Sequence, residues 1–201
     1  MREIYQSGVT PQQKLVGINN KFGNTGIKDQ QGTTRLIYDT LPAGTNTTFR
    51  FFEDSASRNF PFTNTGSDGN KLGVGDTMII ESVQFSYFDV VNATGNVESG
   101  QSLFGFGFTP GLGIFDFEIA NNKVIKKLTL TEGIPAYNKS TSTTVVSEIE
   151  METQIVLPPL LPYALNLQLP KAFNTPQPGL TRYIKATIIG TGGIIAPRTT
   201  F

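Results

Sequence analysis

Three stretches of the chain carry side chains whose types and spacing could do chemistry. Glu148, Glu150 and Glu152 alternate with Ile149, Met151 and Thr153, and a glycoside hydrolase needs only two carboxyl groups, about 5–10 Å apart. Asp68, Asn70 and Asp76 lie in the oxygen-rich segment 64–76, NTGSDGNKLGVGD. It resembles a calcium loop loosely, without EF-hand spacing or the terminal bidentate Glu, and whether it takes a cation stays open here. Gly105, Gly107, Gly111 and Gly113 form a glycine-rich run, but no Walker lysine follows it and no helix opens there. The chain has no His and no Cys. Without them the commonest general base, the usual serine-nucleophile triad, thiolate chemistry and most zinc or redox-metal sites are gone.

Each stretch also has a plainer structural reading. Successive strand side chains point to opposite faces. An alternating Glu row is therefore the wet face of a strand whose dry face is Ile149, Met151, Thr153, Ile155 and Leu157. The 64–76 segment reads as an ordinary polar loop. The glycine run places Phe104, Phe106 and Phe108 at a spacing of two, as in a bent strand with a buried aromatic face; the alternative is a loop laid against a neighbouring subunit. No catalytic residue, metal or cofactor is expected.

The elements that would position these residues follow from the same alternation. Strands are predicted over 34–40, 47–53 (with Phe49 and Phe51 on one face), 77–91, 114–120, 123–130, 143–157, 163–169 and 181–189. The 77–91 strand sets Val83, Phe85 and Tyr87 against Ser82, Gln84 and Ser86, and its length calls for a bulge or bend. Asn121-Asn122 is the expected hairpin turn, since Asn tolerates positive φ. Pro158, Pro159 and Pro162 exclude a central strand and make an extended corner. Gly190, Gly192 and Gly193 are expected to loosen the tail. The pattern predicts an all-β fold, an antiparallel two-sheet jelly-roll sandwich of about eight strands with an extended N-terminal arm.

Length and composition bound the rest. A chain of 201 residues fits one domain with an arm. The arm is assigned to 1–33 and the sandwich domain to 34–201. The arm is rich in Gln, Asn and Gly, and Ile4, Tyr5, Leu15, Val16 and Phe22 are spaced along it as isolated anchors. These five residues, with Phe104, Phe106 and Phe108, are the candidate assembly interface, because spaced anchors suit a segment that orders on a neighbouring subunit. Sixteen basic and sixteen acidic residues give zero net charge. That argues against specific nucleic-acid binding and permits close self-association. No signal peptide is visible, and no apolar run approaches the roughly 20 residues of a membrane span. Asn46, Asn92 and Asn138 head glycosylation-like triplets, which an Asn- and Thr-rich sequence produces by chance.

The segments FRFFEDSASRNFPFTNTGSDGNKLGVGDTMIIESVQF, FDFEIANNKVIKKLTL and IVLPPLLPYALNLQLP resemble those of bacteriophage jelly-roll virion structural proteins. The likeness lies in a KL-containing loop into a long strand, an Asn-turn hairpin, and a PP corner into a Leu-alternating strand, and it covers roughly 34–190. It implies a non-enzymatic virion component: a major capsid, penton or auxiliary protein, assembled in the host cytoplasm. Its partners would be copies of itself or other capsid proteins, with no small-molecule substrate. The alternative is a carbohydrate- or receptor-binding β-sandwich module of a fibre or surface protein, which the absence of Trp weakens.

Overall fold

A computed structural model describes residues 30–65, 69–92, 94, 97–102, 113–129, 134–136 and 146–195. Its strands are β1 (Gln30–Pro42), β2 (Thr48–Phe51), β3 (Thr77–Val91), β4 (Val97–Ser102), β5 (Ile114–Ile119), β6 (Asn122–Thr129), β7 (Ile134–Ala136), β8 (Val146–Leu157), β9 (Tyr163–Gln168) and β10 (Leu180–Ile195). A single 3-10 turn at Ser55–Ser57 is the only helical element among the described residues. No helix among them is long and apolar enough to cross a membrane.

The strands form two antiparallel sheets. The large sheet runs β1-β10-β3-β8-β7, with β4 also on β3, and the small sheet runs β2-β9-β5-β6. The pairing is nested: β1 with β10, β2 with β9, β3 with β8, β5 with β6. The inner faces meet through aromatic rings. Phe85 of β3 lies 6.3 Å from Phe51 and 5.4 Å from Phe115 of the small sheet, and all three are essentially inaccessible. Such rings supply large buried area and favour tilted or edge contacts.

Alternation places the predicted dry faces in this core. Phe49, Phe51, Val83, Phe85, Ile149 and Leu157 are buried, and Met151 and Ile155 pack against them. Thr153 departs from the expectation and is exposed. Between the Ile80–Ile155 and Ser82–Glu150 pairs, β3 contributes one residue and β8 four, so Thr153 sits on the outward bow of that bulge. Phe52 is buried directly after Phe51 because its backbone turns left-handed, φ 72°. Asp39 Oδ2 accepts the Phe52 N–H at 2.7 Å and supports that uncommon conformation.

Three boundaries differ from the sequence expectations. The hairpin turn is Ala120-Asn121, with φ 48° and 66°, and Asn122 already pairs with Ile119. Ala120 N–H donates to the Pro162 carbonyl at 2.8 Å, which fixes the turn one residue early. The 190–193 glycines continue β10 instead of loosening it. Gly190 faces β3 so closely that a Cβ would lie 1.9 Å from the Ile79 oxygen, at a bulge between Ile189 and Gly190. Glycine is required there for close backbone approach. Finally, β1 begins at Gln30, and residues 30–33 pair with 192–195.

Candidate interaction surfaces

The residues assigned from sequence to assembly, Ile4, Tyr5, Leu15, Val16, Phe22, Phe104, Phe106 and Phe108, lie outside the described residues, as does Asp68. Of the other candidate stretches, Glu150 is exposed on the outer face of the large sheet, as its alternation requires. Asp76 is held by Arg35 at 2.8 Å. Among the described residues, no three His, Cys, Asp or Glu side chains group as a metal site.

The small sheet's outer face carries a shallow depression of about 180 Å³, lined by Thr48, Arg50, Ile114, Asp116, Asn166 and Gln168 among others. Strand pairing sets Arg50 opposite Asn166, and Asn166 opposite Asp116. Arg50 donates to Asn166 Oδ1 at 2.9 Å and forms ion pairs with Glu53 (2.8 Å) and Glu118 (3.0 Å). Partial desolvation works to lower its pKa, but the bonds to Glu118 and Glu53 outweigh that and raise it. Lys123 Nζ lies 2.6 Å from Asp116 Oδ2, and the Lys127 N–H donates to Asp116 Oδ1 at 2.6 Å. The Lys123 bond holds the Asp116 carboxyl below its usual range. Asp116 is thus a fixed anion that braces the β6 bulge where Lys127 has φ 50°. A general acid would need the opposite shift. The two rings at the depression, Phe49 and Phe115, are buried, so it presents no ring for a sugar to stack on.

The large sheet's outer face is different in kind. Inward-pointing Ile184, Ala186 and Ile188 turn Tyr183, Lys185 and Thr187 toward the other face of β10, where Tyr183 and Lys185 are partly exposed and Thr187 is buried. Tyr183 contacts Phe62 at 5.1 Å and Phe88 at 5.9 Å between ring centroids. Lys185 Nζ lies 3.9 Å from the centroid of the Tyr38 ring, a cation–π contact. Its half-burial lowers its pKa. The alternation of 181–189 carried a signal for this patch, but alternation does not say which outward residues meet across strands.

One end of the sandwich exposes apolar side chains on braced loops. Val74 is 79% exposed, Leu160 56% and Leu161 41%. Leu160 N–H donates to the Leu72 carbonyl at 3.0 Å and Tyr163 N–H to the Asn70 carbonyl at 2.9 Å, so the proline corner is tied to the loop before β3. Leu160 itself is left-handed, φ 60°, a conformation that costs a non-glycine residue about 1–3 kcal/mol and is kept only where surroundings enforce it.

No known family model matches this chain, and no curated protein matches it either.

Proposed function

We propose that this chain is a structural component of a bacteriophage virion: a jelly-roll protein of the capsid shell, non-enzymatic, acting through repeated protein–protein contacts. The observation that carries the reading is the nested pairing. Without β4 and β7 the orders are β1-β10-β3-β8 and β2-β9-β5-β6, one long hairpin rolled into two four-stranded sheets. That is the expected path of a jelly roll, an architecture used by viral capsid proteins, lectins and cupins. A fold alone does not choose among these. The braced apolar end at Val74, Leu160 and Leu161 supports the shell reading, because exposed apolar side chains on rigid loops suit a recurring contact. The ion-paired, ring-free depression of the small sheet speaks against a sugar cleft.

In this reading the residues before β1 form the arm that orders on a neighbour. The test is light scattering and electron microscopy of the purified chain, with mass spectrometry of particles from its source. Oligomers or shells, and the chain within particles, are expected. A monomer that binds immobilised glycans would replace this reading with the carbohydrate-binding alternative. Truncation should stop at residue 29, since residues 30–33 pair with β10. The truncated chain should fold and fail to assemble.

A further inference from the structure

β1 stands at the edge of the large sheet. It pairs with β10 on one side, and its even-numbered residues turn their main-chain N–H and C=O groups to the other. Bonds on both sides fix this parity. Tyr38 N–H donates to Asn64 Oδ1 at 2.8 Å, and the Tyr38 carbonyl accepts the Asn64 N–H at 3.4 Å. Ala43 N–H, at an odd position just past the strand, donates inward to the Arg182 carbonyl at 2.8 Å. In-plane groups alternate along a strand, and the β1–β10 register runs without a shift. Gly32, Thr34 and Leu36 therefore present their N–H and C=O groups to the same side as Tyr38.

Asn64 stands there as a stub of the next strand. Besides its bonds to Tyr38, its Nδ2 donates to the Leu36 carbonyl at 2.8 Å, and neighbouring Thr63 bridges Asp39. Beyond Leu36 the imitation stops. Among the described residues, no strand pairs with this edge, and the Thr34 carbonyl receives only the Thr33 hydroxyl, at 3.3 Å. The strip is open to contact. Gly32, which has no side chain, is partly exposed through its main chain, Thr34 is exposed, and Leu36 is 45% exposed.

An open edge is a template for a further strand, and proteins guard such edges with short strands, lysines, prolines or bulges. The other outermost strands here are guarded in those ways. β2 has four residues, and β7 has three, one of them Pro135. β4 has six and shifts register against β3. β6 carries Lys123, Lys126 and Lys127 and a bulge. β1 has 13 residues, and its first five, Gln30 to Thr34, include no charge and no proline.

We propose that the edge of β1 from Gly32 to Leu36 is a strand-addition site, filled by the segment around Leu15–Ile18 of another copy of this chain. The assignment rests on the arm of the shell reading and names where that arm docks. Strand addition draws affinity from main-chain bonds and specificity from alternate side chains. Leu15-Val16-Gly17-Ile18 is the longest apolar run before β1. Opposite Thr34, Val16 would share a face with Leu36, and Ile18 would lie on the same face. The connection is long enough. About twelve residues separate Ile18 from Gln30, a reach of up to ~40 Å, which is about the width of a domain of this size.

The test joins full-length chains that each carry one thiol, since the chain has no cysteine of its own. One copy bears Val16→Cys and the other Thr34→Cys, so a short bis-maleimide bridge between positions 16 and 34 is intermolecular by construction. Peptide mass spectrometry should find that bridge in assemblies of the mixed chains. Thr34→Pro should cut assembly about tenfold or more, because proline cannot donate to a ladder. It should spare the fold, because the Thr34 N–H faces away from β10. Leu36→Lys, which guards the edge with a charge, should also reduce assembly, and circular dichroism would verify that both variants are folded. Assemblies that lack the bridge, or that form unchanged from both variants, would overturn the proposal and leave the shell reading standing. A chain that stays monomeric would overturn it. So would a bridge closed within a monomer that carries both thiols, or a bridge from position 34 to a different protein in native particles. If source particles lack the chain, the shell reading falls, while a bridge between the mixed chains still upholds strand addition.

Discussion

On the outside of the small sheet, Arg50, Glu118, Asp116 and Lys123 form a connected set whose members lie 2.6–3.9 Å from opposite charges. On the outside of the large sheet, Lys185 rests on a tyrosine ring and Glu150 stands exposed on another strand. Both surfaces belong to one sandwich and rest on one aromatic core. The difference lies in where complementarity is completed. On the small sheet these four side chains are paired with one another within the chain. On the large sheet, Lys185 and Glu150 stand on different strands, paired in register with Ser86 and Ser82 of β3.

Substitutions test that contrast. The upper limit for a charge serving the fold comes from Asp39, which is fully buried and receives Arg58 through two bonds, at 3.0 and 2.6 Å. Arg58→Ala leaves that carboxylate without its cation and should cost about 3–5 kcal/mol, read by denaturant unfolding. A loss below about 1 kcal/mol would mean that the backbone donors to Asp39 suffice. Next come adjacent residues on the two faces of β8. Ile149→Ala should cost about 2–5 kcal/mol through lost transfer and a cavity, whereas Glu150→Gln should change folding by only a few tenths of a kcal/mol. The reverse order would mean that the large sheet's outer charges serve the fold.

Arg50→Ala tests the small sheet's paired side chains directly. Its guanidinium is exposed to water, so despite its several partners the loss should be about 0.5–1 kcal/mol, with self-association unchanged. An effect on association without one on stability would erase the distinction between the faces. The smallest effect is pH-dependent. The Lys123 bond lowers the folded pKa of Asp116 below 3.8. Its stabilisation is therefore complete above pH 3.8 and disappears as pH falls through the lower folded value. The difference in Tm between wild type and Asp116→Asn should shrink in that acid window and also in high salt. A difference that stays constant with pH would show that the Lys127 N–H, rather than the charge, is what Asp116 provides.

Much of the sandwich was legible from residue type alone. Volume, polarity and β-branching impose a period of two, and that period is local. It placed Phe49, Phe51, Val83, Phe85, Ile149 and Leu157 inward and Glu150 outward, and it outlined β3 over its full length. Short or glycine-rich strands carry too little of the period to be seen. That is why β4, β7 and the last residues of β10 escaped it, the last because Gly190 answers to the Ile79 carbonyl of another strand.

Residue types alone were enough to tell the wet side from the dry side of the strands with clear alternation. Which strands lie side by side, and in what register, emerges from the folded chain. Local alternation is the same whatever a strand's neighbour, while register is set by pairing between residues distant in the chain. Arg182 clasps Asp89 from 93 residues away, and Thr191 meets Glu81 from 110. The candidate surface belongs to that second kind of information. Lys185, Glu150, Tyr38 and Gln84 come from four different strands. Nothing in their separate alternations could say how far apart they lie across the sheet.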